Sequence, residues 1–467
     1  MLEQIYLHQR QYSLQLRKEP YETRREHLLT LQKLVENHQT EICRALELDF
    51  QKPQFETLMT EIYSVVHEIK FALKHLRTWM KPQRVSTPLM MLGTKSEIAY
   101  EPRGVCLLIS PWNYPFYLTM APLVSAVAAG NCVIIKPSEY SRHTSSLMGQ
   151  LIEKYFSPEH IHFVQGGPET TQALLQFPFD HIFYTGSSRV GRLIMEAAAK
   201  HLTPVTLELG GKSPTIVDKS ADLEVAAEKL AWAKCLNAGQ TCVAPDYLFV
   251  HQDIQAKFSN LLQEKIKAAL HLNSGELQSS PDYARMISRH HTDRLIGLVK
   301  EAVDAGAQII FGGDSDSEKH FIGPTLITKI PPQANLMKEE IFGPILPIIP
   351  YKELSEVIHF INDRPKPLVL YMYSNSKLDI DQVLRETSSG GAVINDSIIH
   401  LANTHLPFGG VGESGMGRSH GIHGFRTFSN DKSILRQGAL GRFMRITYPP
   451  YTPFKMKFIK KLIRWRI

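Results

Sequence analysis

Apolar positions along residues 2–80 recur every three or four residues, as in TRREHLLTLQKLVENHQTEICRALELDF over 23–50, and predict long amphipathic helices. The pattern then changes. Between Arg103 and Lys136 lie 32 residues without a charge, more than the roughly 18 that mark a candidate membrane span. Pro111, Asn113, Pro115, Pro122, Gly130 and Asn131 interrupt the run. It reads better as a strand at Val105–Ile109, a turn, a helix over about Tyr117–Ala129 and a second strand over 132–135. Strands covered on both faces are apolar throughout, so a buried β-α-β unit accounts for the run. Downstream, apolar runs such as HIFYT alternate with amphipathic stretches at 188–200 and 223–233. This alternation predicts an α/β fold with mostly parallel sheets. With no repeat, low-complexity segment or Gly/Ser linker, the domains are expected to interleave and to meet near Gly210 and Gly211.

Charge changes the picture only at one end. The chain of 467 residues has 52 basic and 46 acidic residues, a net charge of +6. Eight basic residues and no acidic one fall within 441–467, leaving 44 basic against 46 acidic before them. A nucleic-acid enzyme is expected to spread Lys and Arg over a folded face, often with a recognisable module, and neither pattern is present. The five cysteines are scattered and never spaced C-x-x-C, which argues against a disulfide framework or a structural zinc site and for a reducing compartment. The N-terminus mixes charged and apolar residues from Glu3 onward, without the apolar core of a signal peptide. A cytoplasmic protein with no metal site and no nucleic-acid partner is expected.

Several motifs carry candidate chemistry. Cys242 lies in NAGQTCVAP, a loop of small and polar residues ahead of the apolar run YLFV, where a thiolate could attack a carbonyl carbon. In VTLELGGKSP, Glu208 stands at the carboxyl end of a strand, where α/β sheets hold ligands. GGKS is not a phosphate loop, because Thr206 occupies the position that needs glycine. In HIFYTGSSRVGRLI, Gly186, the capping residue Ser187 and Gly191 open a helix able to receive a phosphate. Lys136 and Glu139 in IIKPSEY suit ribose or phosphate hydroxyls. Asn113 in PWNYP is an amide donor in a stiff turn. KEEIFGP and LPFGGVGESGMG are glycine- and proline-punctuated loops.

Together, PWNYP, KPSE, the Gly186 loop, ELGGKSP, GQTC, EEIFGP and LPFGGVGESGMG resemble, in order and approximate spacing, the aldehyde dehydrogenase superfamily over nearly the whole chain. GSSRVG, NDSIIH and RITYPPY look like the class 3 branch, which contains fatty and aromatic aldehyde dehydrogenases. The resemblance implies a Rossmann-like cofactor domain (1–82 and 103–209) and an α/β catalytic domain (210–412). It also implies a small β bridging and oligomerisation element (83–102 and 422–440), followed by the basic tail (441–467). It assigns Cys242 as nucleophile, Glu208 as general base and Asn113 as oxyanion donor. Lys136 and Glu139 match residues on the adenosine ribose, Gly186, Ser187 and Gly191 the helix start beside the pyrophosphate, and Glu340 and Phe342 contacts to the nicotinamide ribose. Arg189 stands where many relatives carry a small residue. Glu139 favours NAD by repelling a 2′-phosphate, while class 3 relatives often accept NADP as well. The implied activity is NAD(P)-dependent oxidation of medium to long aliphatic or aromatic aldehydes, in a homodimer. A cofactor-free thiol esterase and a non-catalytic binding protein of the same fold are the alternatives.

The tail FKMKFIKKLIRWRI winds as a helix from Phe454. Phe454, Phe458, Leu462 and Trp465 fall within an arc of about 80°, with Lys457, Lys460, Lys461 and Arg464 on the other side. Lys455 and Arg466 break the pattern. Such a helix is a candidate for peripheral contact with an anionic membrane or for docking on its own subunit or a dimer partner.

Overall fold

A computed structural model describes residues 2–88, 91, 93–270, 277–438 and 445–464. The apolar run around residue 120 forms the strand Val105–Ile109, the helix Tyr117–Ala129 and the strand Cys132–Lys136. Every residue of both strands is buried. The helix is apolar on all sides, and a helix of that kind is stable only inside a core; of its 13 residues only Leu118 is not buried. Among the described residues no helix is long and apolar enough to cross a membrane.

These two strands sit in a six-stranded sheet ordered Gly415–Met416, Val205–Leu209, His181–Gly186, Val105–Ile109, Cys132–Lys136, Ile161–Phe163. All neighbours run parallel except the two-residue edge strand. The chain enters at Val105, winds outward through Cys132 and Ile161, then crosses back to His181 on the other side. That reversal makes a topological switch point, the place where open α/β sheets bind ligands. The turn after Ile109 carries Asn113, and the turn after the neighbouring strand carries Ser187.

A second sheet of seven strands is ordered Gln308–Phe311, Thr325–Thr328, Ile345–Tyr351, Tyr247–His251, Pro214–Val217, Val369–Tyr373, Gly391–Ile394. Only Gln308–Phe311 runs antiparallel. The chain passes from one sheet to the other through Gly210–Gly211, so strands of the first sheet end where strands of the second begin. Glu208 therefore faces the loops that precede Tyr247 and Ile345. The edge strand closes the same region, with Gly415 paired opposite Glu208. Gly415 has φ +140°, and a Cβ there would lie 2.2 Å from the Leu207 carbonyl oxygen. No other residue permits that approach.

A three-stranded antiparallel sheet of Gln83–Val85, Thr94–Pro102 and Ser429–Gln437 stands apart. The helix Gly421–Thr427 packs on Tyr117–Ala129 and Ser64–Trp79, so only the later part of 422–440 joins this sheet. The N-terminal helices Leu2–Leu16, Tyr21–Asn37, Gln39–Phe50 and Ser64–Trp79 contain the expected amphipathic pattern, with a π-helical turn at Leu58–Tyr63.

The tail forms the expected helix, Pro453–Arg464, and of the described residues on its expected apolar arc Leu462 is partly buried. Lys455, Ile459 and Leu462 turn partly inward, whereas Phe454 is 72% exposed. Lys455 Nζ donates to the Arg445 and Tyr448 carbonyls and closes the preceding proline-rich turn. Lys457, Lys460, Lys461 and Arg464 are exposed. Trp465 and Arg466 lie outside the described residues.

Candidate active site

Of the five cysteines, Cys43, Cys106, Cys132 and Cys235 are buried and Cys242 is partly exposed. Its loop has an unusual backbone, left-handed at Asn237 (φ 52°), Ala238 (φ 50°) and Gly239 (φ 71°). Such residues persist only where their surroundings hold them, and here the restraints are dense. The Asn237 N–H donates to Glu56 (3.0 Å), and Asn237 Nδ2 donates to the carbonyls of Asn113 (2.9 Å) and Gln240 (3.2 Å). Gln240 donates to the Asn237 and Arg285 carbonyls and accepts from the Ile287 N–H. A Cβ on Gly239 would lie 2.4 Å from the Gly343 carbonyl oxygen, so this loop presses on the Ile341–Pro344 turn with no room for a side chain. Tyr371 closes the far side by donating to the Val243 carbonyl (2.6 Å).

Asn113 Nδ2 donates to the Gln240 carbonyl (3.0 Å), two residues before the cysteine. Its amide carries a second N–H. Glu208 sits on the other flank, where Ser419 Oγ donates to its Oε1 (3.2 Å) while Oε2 has no partner. Burial pushes the Glu208 carboxyl up to about 8. Glu340 is likewise raised to about 8 by burial and by Asp246. Burial, with Glu340 and Glu208 nearby, pushes the Cys242 thiol up to about 12.

Lys212 in the GGKS stretch has a structural task. Its Nζ pairs with Asp246 and donates to the Leu336 (3.0 Å) and Glu339 (2.7 Å) carbonyls. Asp246 in turn accepts the Ile341 N–H (2.9 Å), and Arg294 donates to the Glu340 and Ile341 carbonyls. The turn that presents Glu340 and Phe342 is held from both sides.

Asn113, Gly186, Ser187, Glu208, Cys242, Glu340 and Phe342 all line one cavity of about 240 Å³. Ser187 caps the helix Ser188–Ala199, accepting from the Val190 N–H (3.4 Å). Trp112 and His291, with ring centres 4.8 Å apart, and Phe342, 5.3 Å from Trp112, form an aromatic wall. A Cβ on Gly210 would lie 2.0 Å from the Glu340 carboxylate, leaving no space for a side chain between them. Helix N–H groups for phosphate beside an aromatic wall for a planar ring suit a dinucleotide.

Three expected cofactor residues lie outside this cavity lining. Lys136 and Glu139 form an ion pair (3.1 Å) at the exit of Cys132–Lys136, beside the switch point. Gly191 is buried in the first turn of its helix, where a Cβ would lie 2.9 Å from Leu209. Its absent side chain lets helix and sheet pack closely.

A second cavity of about 240 Å³ reaches Cys242 from the opposite side. Met59, Tyr63, Leu118, Trp232, Ile399 and Phe408 give it apolar walls. A third, of about 40 Å³, lies behind Cys242 and Glu208 and is bounded by Ser419, His420 and Glu68. Sequence patterns did not point to Glu61, Glu68, Ser419 or His420. They become neighbours only in three dimensions; the available signal was an acidic residue on the core-facing side of an amphipathic helix, as at Glu61 and Glu68.

The aldehyde dehydrogenase family profile matches residues 7–434. The 4,4'-diaponeurosporen-aldehyde dehydrogenase of Staphylococcus aureus is 44% identical over 94% of both chains. Aldehyde dehydrogenase family 3 member A2 of Pongo abelii is 43% identical over 97% of this chain and 92% of its own. The substrate-bound structure of Staphylococcus aureus AldH superposes with a TM-score of 0.94 at 41% identity, covering 99% of this chain and all of the other. Two more distant structures, each 26% identical with a TM-score of 0.83, hold cofactors. They are the glyceraldehyde-3-phosphate dehydrogenase of Methanocaldococcus jannaschii, with NADP (93% and 94% covered), and a Staphylococcus aureus betaine aldehyde dehydrogenase mutant, with NAD+ (94% and 89% covered). The chain therefore belongs to the aldehyde dehydrogenase family of NAD(P)-dependent oxidoreductases and resembles its class 3 branch.

Proposed function

We propose that this enzyme oxidises medium- to long-chain aliphatic or aromatic aldehydes to carboxylic acids through Cys242. The observation that carries the reading is that Cys242 borders two cavities, one suited to a dinucleotide and one apolar. An aldehyde whose chain fills the apolar cavity brings its carbonyl to the sulfur. The relative named for 4,4'-diaponeurosporen-aldehyde agrees with an apolar substrate.

Cys242 Sγ attacks the carbonyl carbon after losing its proton, with Glu208 and Glu340 as the bases at hand. Asn113, through its second N–H, stabilises the oxyanion of the thiohemiacetal. When bound, NAD(P)+ supplies the hydride acceptor that allows a thioester to form on Cys242. The helix start at Ser187 and the Glu340–Phe342 turn hold that cofactor, with Lys136 and Glu139 on its adenosine ribose. Glu208 then takes a proton from water, whose oxygen attacks the thioester carbon; the C–S bond breaks and the acid leaves.

A panel of aldehydes of increasing length, followed by NADH release, tests the reading. Cys242→Ala, folded as judged by circular dichroism, is expected to lose NADH formation on every aldehyde; retained turnover overturns it. Glu208→Gln is expected to give one burst of NADH and then stall, whereas continued turnover would transfer the base role to Glu340.

The six-stranded sheet serves in this reading as the cofactor domain, the seven-stranded sheet as the catalytic domain, and the three-stranded sheet as the bridge of a homodimer. The enzyme works in the cytoplasm, and the exposed basic side of Pro453–Arg464 supports peripheral contact with anionic lipid. Truncation after Tyr451 should abolish co-sedimentation with anionic vesicles; unchanged binding removes the membrane role.

A further inference from the structure

The cavity of about 40 Å³ behind Cys242 is bounded by Glu208, Ser419, Glu68, His420 and Tyr117. Glu208 is 5% exposed, its Oε1 is occupied by Ser419, and its Oε2 has no protein partner. A buried carboxylate oxygen without a hydrogen bond is costly. The cavity is large enough for about three or four waters, at roughly 10–15 Å³ each.

Across that cavity lies a second titratable pair. His420 Nδ1 is 2.6 Å from Glu68 Oε1, and both side chains are buried. The Tyr117 hydroxyl lies 3.4 Å from the same nitrogen, and the Gly421 N–H donates to Glu68 Oε2 (3.4 Å). With Nδ1 donating to the carboxylate, the neutral ring has Nε2 free to accept a proton, and Glu68 stabilises the resulting imidazolium. His420 adopts φ 70°, uncommon for a residue with a side chain. The pair borders both this cavity and the apolar cavity, as does Cys242.

Taking Glu208 as the general base, we propose that the Glu68–His420 pair takes up its proton through water in the small cavity and releases it to the apolar cavity once the acid product has left. In each turnover water gives one proton to Glu208 Oε2 and its oxygen to the acyl carbon, and the C–S electron pair returns to Cys242. The proton then moves through the bridging water to His420 Nε2, where it stays until the acid has left the apolar cavity. Glu208 is restored as a carboxylate, and no oxidant or reductant enters the transfer. His420 and Glu68 are positioning residues: they touch the water chain, not the reacting carbon.

The test separates thioester formation from hydrolysis by stopped-flow NADH release. Asn tolerates positive φ better than most residues, so His420→Asn is the first variant. Glu68→Gln, which keeps an acceptor for Nδ1 and removes the charge, is the second. Both should form NADH in the first turnover at the wild-type rate, at one equivalent per site, and then turn over at least tenfold more slowly for His420→Asn and about threefold for Glu68→Gln. A thermal midpoint close to wild type shows that folding is intact. Unchanged steady turnover in either folded variant overturns the relay, as does a loss confined to the burst phase. If His420→Asn does not fold, Glu68→Gln alone decides. If Glu208→Gln shows no burst and stall, the reading of Glu208 fails, a result distinct from failure of the relay.

Discussion

Lys52 and Glu61 form an ion pair at 2.7 Å in which neither side chain has any exposed surface. The second oxygen of Glu61 accepts the N–H groups of Phe116 (3.1 Å) and Tyr117 (2.8 Å), at the start of the helix that follows PWNYP. Lys52 Nζ also lies 3.9 Å from the Tyr114 ring centre. The N-terminal helices thus hold the turn that presents Asn113.

Glu61→Ala should cost about 3–5 kcal/mol, because it leaves a buried ammonium unpaired and two helix N–H groups without an acceptor. Urea denaturation measures the loss. Replacing both partners by Met and Leu should be less damaging than either single change. A loss below about 1 kcal/mol for Glu61→Ala would contradict this account.

The raised thiol at Cys242 predicts slow alkylation at neutral pH in the cofactor-free enzyme. The rate constant for iodoacetamide should rise about tenfold per pH unit up to pH 10 without a plateau, since the thiol titrates near 12. Above pH 8, where both carboxyls are charged, Glu340→Gln and Glu208→Gln should each speed alkylation by removing a nearby negative charge. A plateau near pH 7 would show that the thiolate is already formed.

Glu208 and Glu340 predict a loss of stability with rising pH. Both have folded values of about 8 against an ordinary 4.5. Between these limits the folded protein holds protons that the unfolded chain has released, so unfolding releases them and raising the pH favours it. The slope is on the order of 1.4 kcal/mol per pH unit for each carboxyl and flattens above pH 8. Thermal midpoints at pH 5.5 and 7.5 should fall in that order, and the double Gln variant should narrow the gap. An equal gap in that variant would assign the pH dependence to other groups.

Ile399, 51% exposed, borders the apolar cavity. Ile399→Asp should raise KM for long aldehydes roughly tenfold, since each buried methylene is worth about 0.8 kcal/mol. Short aldehydes, whose chains do not reach Ile399, should be unaffected. Equal effects across chain lengths would place the chain elsewhere.

The α/β fold was legible because buried parallel strands and an all-apolar helix leave an uninterrupted apolar run that turn residues divide. Cys242 was legible as a loop cysteine, and Glu208 and Ser187 as strand-end and helix-start residues, since those properties belong to neighbours along the chain. What stayed hidden depended on distance in sequence. Lys212 looked like a truncated phosphate loop until Asp246, Leu336 and Glu339 surrounded it. The tail's periodicity showed Lys455 only as a break in the amphipathic pattern, not that it bonds to carbonyls seven and ten residues away.

Local order along the chain therefore determined which segments became strands and helices and which residues could carry chemistry, because propensity, periodicity and capping act within a few residues. Only the tertiary structure decided the environment of each group. Desolvation and charge pairing depend on side chains hundreds of positions apart, as with Glu68 and His420 or Glu208 and Ser419. Those contacts determine which oxygen is left unpaired, which acid stays protonated at neutral pH, and where a proton can leave.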